Sequence, residues 1–171
     1  MKKSNENDIL ETTLSIAEKG YPEAYQFLLN AYKESPSSFG PQTFYFLACL
    51  ADGPGAALAW LRKAIQENNW WYRPEELEDD DLAALKNDAA FLSLKAISDE
   101  RYADAFSKSR AIFSWEKKKT DNLFLAIHGN MQNSAQARAD WKSIIGENGQ
   151  WQIETVQSAE PDGYGTYRWS Y

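Results

Sequence analysis

The stretch LFLAIHGNMQNSAQARADWK, residues 123–142, decides how the second part of the chain folds. It opens with five apolar residues, LFLAI, and such a run is typical of a strand that is buried on both faces. The residues HGN then end the strand. Asn133 and Gln136 have the spacing of a capping box, so we expect a helix that begins there and ends near Gly146.

Segments on both sides of this stretch extend the predicted sheet. WQIETVQ, from Trp151, is a second strand, and the order strand, loop, helix, strand is typical of the right-handed crossover of a parallel sheet. AIFSW, at 111–115, contains strand-forming residues, and KKKTDN after it supplies a polar turn. We therefore predict that 111–115 and 123–127 form an antiparallel hairpin whose second strand enters a covered sheet.

The region before this sheet is helical by pattern. Apolar residues recur there at a spacing near 3.6, and Pro and Gly residues separate the periodic segments. The predicted helices cover 8–19, 22–34, 42–51, 56–68 and 88–108. The period changes near residue 110, so we predict a helical domain at 1–108, a sheet domain at 109–171 and the fold class α plus α/β.

The helices at 42–51 and 56–68 resemble a tetratricopeptide hairpin. Ala57, Leu61 and Ala64 reproduce the four-then-three spacing that lets the second helix of such a repeat nest against the first. The connecting DGPG turn is shorter than that family usually has. Because one such pair needs neighbours to cover its apolar faces, the resemblance implies that the first four helices stack as one small tetratricopeptide-like array.

Composition excludes several classes of function. The 171 residues are 43% hydrophobic, which is enough for a packed core, and their net charge of -7 gives no basic field for a phosphate backbone. We expect no nucleic-acid partner. The chain has no run of about 18 apolar residues, and no apolar segment follows the N-terminal lysines, so we expect a cytoplasmic protein without a membrane span.

Few residues are suited to metal or redox chemistry. Cys49 is the single cysteine and His128 the single histidine, so neither an internal disulfide nor a cysteine-based zinc site can form. Six acidic residues lie between Glu75 and Asp81, but they lack the turn glycine of a calcium loop, and we expect Asp80 or Asp81 to cap a helical turn. We therefore predict no metal site and no cofactor.

Residues 123–142 resemble the strand, His-Gly turn and first helix of α/β-hydrolases of the phospholipase/carboxylesterase type. WQIETVQSAEPDGYGTYRWSY, at 151–171, resembles the next strand of that fold and the loop after it. The resemblance covers about 109–171, and a helical region before a hydrolase domain is also associated with bacterial esterase-like proteins. It implies the N-terminal portion of an α/β-hydrolase, preceded by the tetratricopeptide-like helices.

The resemblance also implies which residues form a functional loop. In these enzymes the turn after the strand contributes a backbone N–H to the oxyanion hole. By position the candidates are His128, Gly129, Asn130 and Met131, with Asn130 or Met131 as the N–H donor. The resemblance assigns the His128 side chain to bracing the loop rather than to acting as a base.

The chain departs from the hydrolase pattern at the catalytic residues. It contains no G-x-S-x-G, and no histidine follows His128, so the nucleophile and the general base are both missing. A pair of His128 with Ser134 or Ser158 is disfavoured, because Ser134 belongs to the helix start. We therefore expect the front portion of a serine esterase, truncated within its sheet, with no catalytic residue and no ester hydrolysis of its own.

Two other functions are open for this chain, and we also expect copies of the chain to associate with one another. The helical domain is alternatively a binding module, whose aromatic residues offer a groove to a peptide or protein partner. The chain is otherwise a structural remnant of an interrupted gene, without activity. An incomplete sheet leaves strand 123–127 with an unpaired edge, so we also expect self-association through that edge. The groove candidates are Tyr25, Tyr32, Trp60, Trp70, Trp71 and Tyr72.

Overall fold

A computed structural model describes residues 6–115, 120, 122–145 and 150–170 of the chain. It divides into two compact units, Met1–Glu100 and Arg101–Tyr171. The predicted helical and sheet regions are both present, so the α plus α/β class is confirmed. None of the helices in the described ranges combines the length and the hydrophobicity needed to cross a membrane.

The first unit is built from helices, and three of them have a proline at one of their first two positions. Pro22, Pro41 and Pro54 each lie in the first turn of a helix, where the missing N–H costs nothing. The predicted helix at 56–68 is α-helical only to Arg62 and continues as a π-helical turn over Lys63–Glu67. The helices are α1 (Glu6–Ala17), α2 (Tyr21–Glu34), α3 (Pro41–Cys49), α4 (Pro54–Arg62) and α5 (Ala89–Lys108), which crosses the unit boundary.

Two apolar clusters fill the first unit. In the smaller cluster Leu10 of α1, Leu28 of α2 and Leu47 of α3 pack together. The larger cluster joins α3, α4 and the start of α5 and includes the fully buried Leu61 and Ile65. Leu10, Leu28, Leu47 and Leu61 lie at the apolar spacing from which the helices were predicted, and they are buried in these clusters, whereas Leu14 at the same spacing of α1 is exposed.

Polar contacts satisfy backbone groups of the first unit. Glu6 Oε1 accepts hydrogen bonds from the Gly40 N–H (2.7 Å) and the Thr43 hydroxyl (2.6 Å), so a carboxylate lies at the positive N-terminal end of α3. Ser98 is fully buried. Its Oγ accepts from the Tyr72 N–H (2.8 Å) and donates to the Tyr72 carbonyl (3.0 Å), which ties the chain at Tyr72 to α5.

The acidic segment is capped by a different residue from those predicted. Asp79, rather than Asp80 or Asp81, precedes the 3-10 helix Asp80–Leu85, and its Oδ1 accepts from the Asp81 N–H at 2.9 Å. The helical turn already begins at Asp80, so Asp79, the residue just before it, takes the cap position.

The second unit contains a parallel strand-helix-strand crossover, as predicted. Strands β2 and β3 pair in parallel, with Leu123 opposite Gln152 and Ile127 opposite Val156, and α6 lies between them in sequence. The strand order in this sheet is β1-β3-β2, and β4 and β5 form a separate antiparallel pair. The elements are β1 (Ile112–Phe113), β2 (Asn122–Ile127), α6 (Ser134–Ile145), β3 (Trp151–Gln157), β4 (Glu160–Gly163) and β5 (Thr166–Arg168).

The predicted hairpin between 111–115 and 123–127 is wrong. Strand β1 pairs antiparallel with β3 instead, with Ile112 opposite Gln157. Ser114 fixes this pairing, because its N–H donates to the Thr155 carbonyl (2.9 Å) and its Oγ accepts from the Thr155 N–H (2.8 Å). Strand β3 is therefore central, and β2 lies at the edge of the sheet.

The expectation that β2 is buried on both faces is also wrong for this chain. Alternate residues of a strand point to opposite faces. On one face Phe124 packs against Trp141 of α6, with ring centroids 4.8 Å apart, and Ala126 is buried. On the other face Leu123 and Leu125 are 51% and 45% exposed. Helix α6 covers one side of β2, and the opposite side stays open.

Candidate functional site

The candidate oxyanion loop, His128–Met131, lies between the carboxyl end of β2 and the start of α6. The predicted capping box at the helix start is confirmed. The Asn133 N–H donates to Gln136 Oε1 (2.9 Å), and the Gln136 N–H donates to Asn133 Oδ1 (3.0 Å). A strand end on one side and a capped helix on the other therefore hold the loop.

His128 is a buried brace within this loop. Its side chain is 2% exposed, and its Nε2 lies 3.1 Å from both the Ser158 N–H and Gln157 Nε2. Gln157 Oε1 accepts from the Ser134 N–H (2.8 Å), so the Gln157 amide nitrogen faces His128 as a donor. With two donors aimed at Nε2, that atom carries no proton, and Nδ1–H donates to the Gly129 carbonyl (2.8 Å).

A second brace comes from the C-terminal hairpin. The Trp169 ring stacks on the His128 ring with centroids 4.9 Å apart, and its Nε1–H donates to the His128 carbonyl at 2.8 Å. The Trp169 backbone N–H also donates to Asn130 Oδ1 (2.9 Å). This contact was not predicted from the sequence, although Gly165, which adopts a φ of 77° between β4 and β5, is a residue typical of a hairpin turn.

The loop keeps two backbone donors available. The Gly129 N–H is occupied by Gln132 Oε1 at 2.9 Å. Met131 has a left-handed φ of 61°, so the chain turns sharply at this residue. Within 122–145 and 150–170, no acceptor is found for the N–H of Asn130 or of Met131. These two N–H groups belong to the residues that the sequence resemblance names as candidate oxyanion donors.

In the described residues, this loop has neither a Ser158–His128 catalytic pair nor a metal-binding group. The Ser158 hydroxyl donates to the Arg168 carbonyl (2.5 Å) and accepts from the Glu160 N–H (3.0 Å), so only the Ser158 backbone N–H contacts His128. No Ser-His pair forms at this residue. In the described part of the chain, no three His, Cys, Asp or Glu residues are grouped to hold a metal ion.

The aromatic residues of the helical unit pack mainly against one another. Trp71 and Tyr72 are 6% and 2% exposed, and Trp60 Nε1–H donates to the Tyr25 hydroxyl (3.1 Å). Lys63 Nζ donates to the Tyr32 hydroxyl at 2.9 Å. These contacts show that the aromatic side chains pack within the helical unit. Edge-to-face pairs join Tyr32 with Phe44, Tyr32 with Trp60, Phe44 with Trp60 and Phe44 with Trp70.

The helical unit identifies the family. Residues 5–106 match the family model described as "A/B hydrolase-like, N-terminal domain", which is more than half of the chain. The chain belongs to this family. The hydrolase resemblance in the sequence lies at about 109–171, whereas the family match lies almost entirely on α1–α5, which carry no catalytic motif.

This A/B hydrolase-like chain is also similar to a solved structure. An uncharacterized protein from Bacillus cereus ATCC 10987 is 28% identical, with a TM-score of 0.57 over 94% of this chain. The match includes 54% of that protein, so the A/B hydrolase-like chain spans about half of its length. No curated protein matches the chain.

Proposed function

We propose that the chain is the N-terminal part of a serine esterase of the phospholipase/carboxylesterase type. It supplies a helical scaffold and the oxyanion loop and does not hydrolyse esters by itself. The observation that carries this proposal is the braced turn after β2, in which His128 is held from two sides while the N–H groups of Asn130 and Met131 stay without acceptors in the described residues.

This arrangement is suited to stabilising negative charge. When an ester carbonyl is attacked, its oxygen becomes an oxyanion, and fixed N–H donors lower the free energy of that state. Because Nε2 of His128 already accepts two hydrogen bonds, His128 serves to hold the loop and not to remove a proton from a nucleophile. The nucleophile and the base of the reaction lie outside these 171 residues.

The proposal includes a tetratricopeptide-like role for the helices. Ala57, Leu61 and Ala64 lie in one cluster with Phe44 and Ala48 of α3. The small side chains of Ala57 on α4 and Ala48 on α3 let the two helices approach closely, which makes the pair a stiff support. Such a scaffold fits the α/β-hydrolase-like origin of the helical unit.

The first test is to read the source gene beyond the codon for Tyr171. The proposal expects the frame to continue into a G-x-S-x-G sequence and a later histidine. A stop codon directly after Tyr171 would contradict it, because a nucleophile and a base are both needed for the acyl-enzyme route.

The second test examines the loop in the product of the full reading frame. Asn130→Pro removes one candidate N–H at a turn position that accepts proline, and Asn130→Ala is the matched control that keeps the N–H. If Asn130 is the donor, kcat for p-nitrophenyl butyrate falls about 100-fold or more in the proline variant only. Equal kcat values in both variants would assign the donor to another residue.

A further inference from the structure

Three aromatic rings of the helical unit form a box whose walls are nearly perpendicular to one another. The rings belong to Tyr32 of α2, Phe44 of α3 and Trp60 of α4. The three pairs have interplanar angles of 81°, 88° and 82° and centroid separations of 5.3, 5.5 and 5.7 Å. We call these three rings the aromatic box. Because each ring comes from a different helix, the packing of the helices fixes the shape of the box.

The aromatic box already holds a cation, which is the ammonium group of Lys63. Lys63 Nζ lies over all three rings, at 5.2 Å from the Tyr32 centroid, 5.8 Å from that of Phe44 and 5.7 Å from that of Trp60. The face of an aromatic ring carries negative partial charge, so it attracts a cation within about 6 Å of its centroid. Three such contacts at one nitrogen atom distinguish the box from an ordinary apolar cluster.

The ammonium of Lys63 uses little of its hydrogen-bonding capacity in the box. Nζ donates one hydrogen bond, to the Tyr32 hydroxyl at 2.9 Å, and among the residues that the structure describes no carboxylate forms an ion pair with it. A primary ammonium has three N–H donors, so two of them find no acceptor in this part of the chain. A quaternary ammonium has no N–H group and loses no hydrogen bond on entering the box. The box therefore suits a quaternary ammonium better than it suits Lys63.

The backbone of Lys63 is fixed, whereas its side chain has only this one polar contact. The Lys63 carbonyl accepts from the Asn68 N–H (3.1 Å) and from Asn68 Nδ2 (2.8 Å). Both bonds close the π-helical turn Lys63–Glu67, and turns of this kind are rare and frequently lie at functional sites. A change of side-chain rotamer is thus enough to move the Lys63 ammonium out of the box while the turn stays in place.

Solvent reaches the box along one side. Phe44 is buried, but Tyr32, Trp60 and Lys63 are all partly exposed. The surrounding aromatic residues do not extend this opening into a groove, because Trp71 and Tyr72 are only 6% and 2% exposed. The opening is therefore suited to a small molecule and not to an extended peptide.

We propose that the aromatic box binds a small quaternary ammonium compound and that Lys63 occupies the box when this ligand is absent. The net charge of -7 favours a cation over an anion as the ligand. The ligand and the Lys63 ammonium compete for one place, so binding moves Lys63 into solvent. The inference goes beyond the esterase proposal, because it uses the helical unit alone and needs no nucleophile, no ester and no oxyanion loop.

The first experiment titrates the 171-residue chain with choline and follows the N-methyl protons by NMR. Protons over the faces of aromatic rings are shielded, so we expect a saturable upfield shift with a Kd in the millimolar range. The matched control ligand is the neutral analogue of choline in which carbon replaces the quaternary nitrogen. It has the same shape without the charge and should not bind. Equal binding of the two compounds, or no saturable shift with choline, would overturn the proposal.

Two variants that each remove one positive charge test the competition with Lys63. Lys63→Ala empties the box, and Arg62→Ala removes the neighbouring exposed charge. The apparent affinity of a ligand is reduced by the fraction of sites that are free, so Lys63→Ala should lower the Kd for choline about tenfold if Lys63 fills most boxes. Arg62→Ala should change it less than about twofold, since salt screens an exposed charge. Equal Kd values for the two variants would contradict a competition in the box.

Removal of one wall of the box should have the opposite effect. Trp60→Leu removes the type of ring that attracts cations most strongly and should raise the Kd about tenfold or more. Trp115→Leu, at a ring 61% exposed in the second unit, is the control and should leave the Kd unchanged. If circular dichroism shows that Trp60→Leu does not fold, Trp60→Phe keeps a smaller ring and should raise the Kd about threefold. An unchanged Kd in a folded Trp60 variant would show that choline binds elsewhere.

A last titration separates two sources of quaternary ammonium groups. Trimethylated lysine side chains carry the same group as choline, so a short trimethyllysine peptide is compared with choline under the same conditions. We expect the peptide to bind no more tightly, because the box has no adjoining groove for peptide residues. Peptide binding about tenfold tighter than that of choline would assign the box to methylated proteins and contradict a small-molecule ligand. None of these titrations involves ester hydrolysis, so their outcome is independent of the proposed function.

Discussion

The two units of the chain differ in what they bury. The first unit holds 19 of the 21 buried hydrophobic side chains, whereas the second holds only Ala126 and Ala137 among the described residues. The exposed large hydrophobics show the reverse distribution, with 12 of 15 in the second unit. The apolar side chains of the helices are therefore mostly buried, whereas many apolar side chains of the strands are exposed.

Polar contacts hold the second unit together instead. Glu154 is fully buried, and its carboxylate accepts hydrogen bonds from Ser114 Oγ (3.0 Å) and Gln152 Nε2 (2.6 Å), with Arg138 3.7 Å away. Such contacts are directional and fix the geometry of a sheet, but their net contribution to stability is modest compared with apolar burial. The second unit therefore has a defined arrangement and little core.

The largest expected effect tests this difference directly. Leu61→Ala removes a fully buried side chain of the first unit and should lower its free energy of unfolding by about 3 kcal/mol. Leu125→Ala removes a side chain that is 45% exposed and should change stability by less than about 0.5 kcal/mol. Urea unfolding of both variants measures the contrast, and equal losses would show that the second unit has a core.

Removal of a buried hydrogen-bonding group should have the next largest effect. Ser98→Ala leaves the N–H and carbonyl of Tyr72 without their partner and should cost about 2 kcal/mol. Ser93 lies exposed on the same helix, so Ser93→Ala is the control and should be close to neutral. Denaturant unfolding followed by circular dichroism compares the two. A neutral Ser98→Ala would mean that the apolar cluster alone orders the chain at Tyr72.

A smaller effect is expected at the loop of the second unit. Trp169→Phe keeps an aromatic ring near His128 but removes the indole N–H that donates to the His128 carbonyl, a loss of about 1 kcal/mol. Hydrogen exchange at 128–132 should become about fivefold faster, and Trp151→Phe, at a ring 42% exposed, should leave it unchanged. Similar exchange in both variants would show that Trp169 does not brace the loop.

The smallest effect is expected in the first unit, where the free energy of unfolding should decrease at alkaline pH. Burial raises the pKa of the Cys49 thiol from 9.0 to about 12, and burial also raises the pKa of Tyr45. The unfolded chain therefore loses these protons first, and stability falls as pH rises from about 9 towards 12. Thermal unfolding at pH 8 to 10 should show a shallower decline for Cys49→Ala. A slope identical to that of the parent chain would contradict this cause.

The helical unit was predictable because its signals are local. Apolar spacing along α2 and prolines at the starts of α2, α3 and α4 define the helices within a few residues. The capping box of Asn133 and Gln136 was predicted for the same reason, since its two side chains lie three residues apart. The run HGN after an apolar strand was also sufficient to place the candidate loop.

Strand pairing was less predictable because its partners are distant in sequence. Ser114 meets Thr155 across 41 residues, and nothing near Ser114 indicates that β1 joins β3 rather than β2. The brace of His128 by Gln157, Ser158 and Trp169 likewise depends on residues at least 29 positions away. The predicted burial of β2 on both faces was wrong. An apolar sequence shows that both faces of a strand are suited to burial, but it does not show which segments of this chain cover them.

The most direct test of the difference between the two units is hydrogen exchange of the 171-residue chain at a concentration where it is monomeric. Our account predicts that amides of α4 and of the start of α5, which surround the larger apolar cluster, exchange at least about 100-fold more slowly than those of β2. Protection of β2 equal to that of α4 would show that the second unit is complete without a partner, which would contradict the account.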